Sequence, residues 1–153
     1  MSVINQQHKE IVWGLWQRLN YVSVEDMAAT LKNAVHSDIA WHGPHPINEI
    51  KGVDSLATGF WQPLRHAFPD LKRTCDVFIG GESEGEHWVT ATGYFTGTFD
   101  HDWLGIPATG EKTYIRFGQF CVMREGKISG ELPANATQEE VLALALPQAV
   151  GRS

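Results

Sequence analysis

The sequence predicts one α+β domain spanning residues 1–153, in which a curved, mainly antiparallel sheet packs with N-terminal helices around a small internal pocket. Three observations carry this expectation. Helical spacing of apolar residues is concentrated before Phe68; three long strand-type segments crowd into Leu71–Arg124; and no repeat, low-complexity run or linker divides the chain. Helices followed by consecutive strands give an α+β layer architecture, and a strongly curved sheet of this kind leaves a cavity beneath its helices.

Ile4, Ile11, Val12, Leu15, Trp16 and Leu19 recur at three- and four-residue steps and mark one face of a first helix. A second helix starts near Ser23, where Ser23-Val24-Glu25-Asp26 can cap free backbone N–H groups and Val24, Met27, Ala28, Leu31 and Val35 supply the inner face. Asp38 to His42 alternates and reads as a short strand ended by Gly43-Pro44. Val53, Leu56, Phe60, Leu64 and Phe68 are helically spaced again, with Pro63 bending the helix and Gly59 weakening it. Strands follow over Leu71–Ile79, Glu86–Phe99 and Lys112–Arg124, and a fourth begins at Ile128. Gly80-Gly81 with Glu82–Gly85, then Gly105–Gly110, are read as the turns. Thr137-Gln138-Glu139-Glu140 is a capping box that predicts a short helix over about 137–146.

Composition excludes several function classes. A formal net charge of -6 with twelve scattered Lys and Arg gives no phosphate-binding surface, so no nucleic-acid partner is expected, and no membrane-surface binding either. Cys75 and Cys121 fall in strand segments without a Cys-x-x-Cys spacing and read as buried free thiols. The first residues lack a basic start followed by an apolar stretch, which predicts a cytoplasmic protein. Six tryptophans suit core, pocket wall and subunit contact alike.

At Phe60-Trp61-Gln62-Pro63-Leu64-Arg65-His66-Ala67-Phe68-Pro69-Asp70-Leu71, then Gly93-Tyr94-Phe95-Thr96-Gly97-Thr98-Phe99 and Leu104-Gly105-Ile106-Pro107-Ala108-Thr109-Gly110, the chain resembles the SnoaL-like polyketide cyclases of the NTF2-like superfamily. The resemblance runs from about residue 10 to residue 130. It implies a cone-shaped α+β barrel with an internal pocket, assembled as a homodimer through the sheet. It also implies intramolecular aldol ring closure without metal or organic cofactor. Such chemistry needs a base beside a carbonyl, a donor for the enolate and a dry cavity. The chain departs from the family pattern at three places. Phe95 stands at the histidine of the Gly-Thr-His-x-Gly segment, and Gly130, Glu131 and Leu132 replace the usual acidic, histidine and tryptophan positions. Pro133-Ala134-Asn135-Ala136 occupies the stretch where the cyclases carry an aspartate.

His42 matches a position where the resemblance implies a pocket histidine and is the candidate base; a histidine hydrogen-bonded at a strand end is the plain alternative. His45 follows in a His-x-x-His pair that no third ligand accompanies, so no metal is expected, and His45 is grouped with the pocket wall. Gln119 shares a strand face with Ile115, Phe117, Cys121 and Met123, as a core hydrogen-bonder or a group aligning a carbonyl. Glu131 is the carboxylate nearest the missing aspartate and assists catalysis if turned inward. Trp41, Phe60, Trp61, Leu64, Phe95, Phe117 and Met123 complete the expected ligand wall, and Asp100-His101-Asp102-Trp103 reads as a solvated loop anchored by its tryptophan. Two functions follow. One is a cofactor-independent enzyme acting on a small apolar carbonyl compound by aldol cyclisation, isomerisation or hydration. The other is a non-catalytic protein binding a small apolar molecule in the same pocket.

Overall fold

The computed structural model describes residues 3–43 and 47–130; His45, Glu131 and the helix expected over 137–146 lie outside the described residues. Helix α1 (Val3–Tyr21) buries His8, Val12, Leu15, Trp16 and Leu19 along one stripe, as its spacing predicts. Ser23 accepts a hydrogen bond from the Asp26 N–H and opens a 3₁₀ turn (Val24–Asp26) leading into α2 (Met27–Ala34). Val35, expected on that helix, instead starts strand β1 (Val35–His42). The β-branched Val35 and Ile39 favour extended backbone and both are buried there. A short strand β2 (Glu49–Lys51) pairs antiparallel with β1 and went unpredicted, because three residues are too few to show a period.

The bent helix between Val53 and Ala67 comprises α3 (Val53–Leu56), one turn of π-helix (Ala57–Trp61) and α4 (Gln62–Ala67). Pro63 sits in the first turn of α4, where a missing N–H costs nothing, and the wide turn before it takes up the bend. The long strands β3 (Lys72–Ser83), β4 (Glu86–Thr98) and β5 (Lys112–Arg124) form an antiparallel meander, and β6 (Lys127–Gly130) completes it. Gly80 and Gly81, read as a turn, lie inside β3; the turn is Glu84-Gly85, both at positive φ. Gly80 serves closeness instead, since a Cβ there would stand 2.9 Å from the Asn5 carbonyl oxygen of α1.

The six strands run in the order β2-β1-β6-β5-β4-β3, with β1 parallel to β6 and every other pair antiparallel, so the sheet is mixed. Alternation along β4 puts Val89, Ala91, Gly93, Phe95 and Gly97 on a buried face, and Thr113, Ile115, Phe117, Cys121 and Met123 share it from β5. The helices cover this inner face and the main core fills the space between, including Trp16, Leu31, Ile39, Leu64 and Phe68. The outer face carries Val77, Ile79 and Tyr114 at 44%, 47% and 41% exposure. No helix among the described residues is long and apolar enough to cross a membrane.

After α4, Asp70 pins the chain to the end of β4: its carboxylate accepts from the Thr98 N–H at 2.7 Å and from the Thr98 hydroxyl at 2.9 Å. Desolvation pushes the carboxyl up, but the two Thr98 hydrogen bonds, with the Asp70 backbone N–H and the Lys72 charge, hold Asp70 below the ordinary carboxylate value. A depressed folded-state value stabilises the fold above the unfolded value, about pH 4, and the gain fades as pH falls through the folded value. Denaturant unfolding of Asp70→Asn should therefore show a deficit against wild type at pH 7 that narrows below about pH 4.

Candidate active site

Five of the side chains predicted to bind ligand form one unbroken chain of rings. Trp41 meets Phe60 with ring centroids 4.7 Å apart, Phe60 meets Trp61 at 5.1 Å, Trp61 meets Phe95 at 6.2 Å, and Phe95 meets Phe117 at 5.1 Å. Trp16 extends the series from α1, 6.1 Å from Phe117. The rings come from β1, the bent helix, β4, β5 and α1, so the wall bridges the helical layer and the inner sheet face. Several pairs are edge-on or tilted, the arrangement the aromatic quadrupole favours.

A cation lies at the heart of this wall. Arg73, on β3, is 5% exposed and is the one Lys, Arg, Asp or Glu in the buried class among the described residues. Its guanidinium carbon stands 3.7 Å from the Trp16 centroid, 4.5 Å from Phe95, 4.6 Å from Phe117 and 5.4 Å from Trp61. Its Nη1 donates to Gln119 Oε1 at 3.0 Å across β4. In register, the β4 positions between β3 and β5 here are Gly93 and Ala91, small enough to leave the arginine a path. Because arginine only donates, this bond fixes which end of the Gln119 amide faces it. A guanidinium keeps its proton inside proteins, so this part of the wall bears a permanent positive charge faced by π-electron density. Arg73 escaped the sequence reading, although Leu71, Arg73 and Cys75 alternate in phase and the flanking Leu71 is 1% exposed.

His42 stands in register with Glu49, and its Nδ1 lies 3.3 Å from Glu49 Oε2. Trp41, next along β1, is buried against Phe60, so alternation directs His42 to the other strand face, with its side chain 37% exposed. The structure thus joins Gln119 to the aromatic wall and sets His42 on the opposite strand face, paired with Glu49. Leu64 is fully buried core beneath the bent helix, and Met123 is buried at the far end of β5 beside His87. Trp103 packs edge-on against Phe68 and anchors its loop, where Asp102 accepts from the Ala108 N–H at 2.8 Å. Neither cysteine is in a disulfide: Cys121 is buried as expected, whereas Cys75 is half-buried, and burial pushes its thiol up, with Arg73 opposing this and Asp76 adding to it. Among the described residues no group of three or more His, Cys, Asp or Glu is arranged to hold a metal ion.

Residues 15–132 match the family model for SnoaL-like polyketide cyclase. The chain belongs to the SnoaL-like polyketide cyclase family. Solved structures agree on the fold of this SnoaL-like chain. A protein from Jannaschia sp. CCS1, proposed as a SnoaL-like polyketide cyclase, superposes with a TM-score of 0.69 at 18% identity, covering 85% of each chain. AclR from Streptomyces galilaeus, proposed as a hydroxylase, gives 0.65 at 17% identity over 82% of this chain and 86% of its own. IdmH from Streptomyces antibioticus, proposed as a polyketide cyclase, gives 0.64 at 19% identity over 90% and 99%. No curated protein sequence matches the chain.

Proposed function

We propose that this SnoaL-like chain is a cofactor-independent enzyme that acts by acid–base chemistry on a small apolar carbonyl compound held against the aromatic wall. The observation that carries this reading is the buried Arg73–Gln119 pair within the rings. A cluster of aromatic rings suits an aromatic or polycyclic substrate, and a fixed cation suits the oxygen of a carbonyl as it becomes an enolate. Aldol closure, isomerisation and hydration all pass through such a charge shift. His42 is the base in this reading: Glu49 engages its Nδ1 and orients the ring, leaving Nε2 to take the proton.

The test uses α-tetralone, a neutral bicyclic ketone whose α-protons exchange slowly in water at neutral pH. Wild-type protein dialysed against chelator should accelerate their replacement by deuterium in D₂O, followed by NMR. His42→Ala should slow the catalysed exchange by about 10²–10⁴-fold while keeping the fold. Exchange equal to buffer with a panel of aryl ketones would remove the enzyme reading, and unchanged exchange in His42→Ala would remove the histidine from it.

A specific observation also favours a non-catalytic reading, in which the pocket retains an apolar ligand unchanged: His42 lies on the strand face turned away from Trp41. Native mass spectrometry separates the two, because a binding protein carries an unmodified ligand through purification and does so equally well in His42→Ala.

Homodimerisation through the outer sheet face belongs to the same proposal. Val77, Ile79 and Tyr114 expose an apolar band there, with Tyr94 and Arg116 beside it in a hydrogen bond of 3.1 Å. Light scattering should report a dimer for wild type and a monomer for Ile79→Asp; a dimeric variant would point to a different surface.

A further inference from the structure

A second polar cluster lies at the opposite end of the inner face, where the start of α1 crosses the β3–β4 hairpin. His87 faces Met123 directly in the β4–β5 register, and the His8 ring meets the His87 ring edge-on with centroids 5.3 Å apart and planes at 67°. These three side chains line a cleft of about 510 Å³, shared with Ile4, Glu86 and Arg124. His8 is 6% exposed and Met123 2%. The Nδ1 atoms of both imidazoles are shut off from solvent and have no hydrogen-bond partner. An unmatched buried polar atom is unfavourable, so a group that engages both nitrogens has a standing advantage here.

The geometry is that of two rings able to share an ion. With nitrogen–metal bonds of about 2 Å, the ring centroids of two imidazoles on one metal lie no more than roughly 6 Å apart, and 5.3 Å satisfies this. Glu82 Oε2 stands 3.8 Å from His87 Nε2, so a carboxylate lies beyond the ring on the side away from its buried Nδ1. Carboxylates so placed fix the tautomer of a coordinating histidine. The third donor decides the metal. No three-residue His, Cys, Asp or Glu group is available among the described residues, and Met123, in register with His87 and lining the same cleft, offers a thioether as the third donor. Thioether and imidazole together select a soft ion over zinc, calcium or magnesium.

We propose that His8, His87 and Met123 form a binding site for Cu(I) in the cleft between α1 and the β3–β4 hairpin. The site is separate from the aromatic wall and does not depend on the acid–base reading. Nothing in the sequence flagged it, because His8 and His87 are 79 residues apart (87 − 8) and follow no metal-ligand spacing.

The full chain would be titrated anaerobically with Cu(I) in competition with bicinchoninate, and separately with Zn(II), while the methyl groups of its three methionines are followed by NMR. The expected result is one Cu(I) per chain, displacement of a single methionine methyl resonance, and affinity at least tenfold weaker in His87→Gln and in Met123→Leu. Met123→Leu conserves side-chain volume and should keep the fold. Cys75→Ser should bind as wild type does. The proposal is overturned by absence of Cu(I) binding, by tighter binding of Zn(II), or by Cu(I) binding that survives Met123→Leu and disappears in Cys75→Ser.

Discussion

Gly93→Ala should destabilise the domain by about 3 kcal/mol or more, enough to unfold a marginally stable chain. A Cβ at Gly93 would overlap the Thr74 carbonyl oxygen and stand 2.9 Å from the Cys75 Cα, both backbone atoms of the neighbouring strand. A flexible side chain could swing aside, but backbone within a hydrogen-bonded ladder can do so only by breaking its register. The register of the β3–β4 pair already shifts between Cys75 and Val77, so strand β3 bends over β4 at this point and needs the missing side chain. Urea unfolding measures the effect directly. A loss under about 1 kcal/mol would mean that β3 does not approach β4 as described.

Arg73→Met should separate function from stability. An uncharged side chain of similar reach fills the ring-lined space without the desolvation penalty of a buried guanidinium, and such replacements are often neutral or stabilising. Thermal unfolding of the variant should therefore occur at or above the wild-type temperature. If Arg73 faces the carbonyl oxygen during proton abstraction, its loss should slow catalysed α-tetralone exchange by about 10²–10³-fold, the usual cost of removing one oxyanion donor. Arg73→Lys should fall between the two, since an ammonium keeps the charge but loses the planar face that stacks on Trp16. A destabilised Arg73→Met with full exchange activity would assign the arginine to architecture instead.

Much of the fold was legible because its long elements obey their periods. Alternation in β5 is regular from Lys112 to Phe117, breaking only further on, where Gly118 and Val122 are buried as well, and the stripe of α1 repeats at helical steps. Boundaries failed where local propensity and tertiary packing disagree. Gly80 and Gly81 look like a turn by composition, yet the strand continues through them because α1 comes too close for any side chain at Gly80. Val35 fits a helical face by spacing, but β1 claims it as the partner of Ile128 in the parallel pair with β6. The aromatic wall was readable from residue type and face. Its cation was not: Arg73 reads by composition as a surface charge, and only long-range register brings Gln119 and four rings around it. The side-chain direction of His42 was implicit in its phase opposite Trp41. The resemblance to the cyclases favoured the pocket, and the strand places it with Glu49.

The central claim is that a small apolar carbonyl compound lies along the ring wall with its oxygen at Arg73. The most direct measurement is an isotope-filtered NOE experiment on the protein with α-tetralone bound. Contacts from the ligand's aromatic protons to the rings of Trp61, Phe95 and Phe117, lost or weakened in Arg73→Met, are the predicted result. Contacts confined to the outer face around Ile79 and Tyr114, or to the His87 cleft, would contradict it.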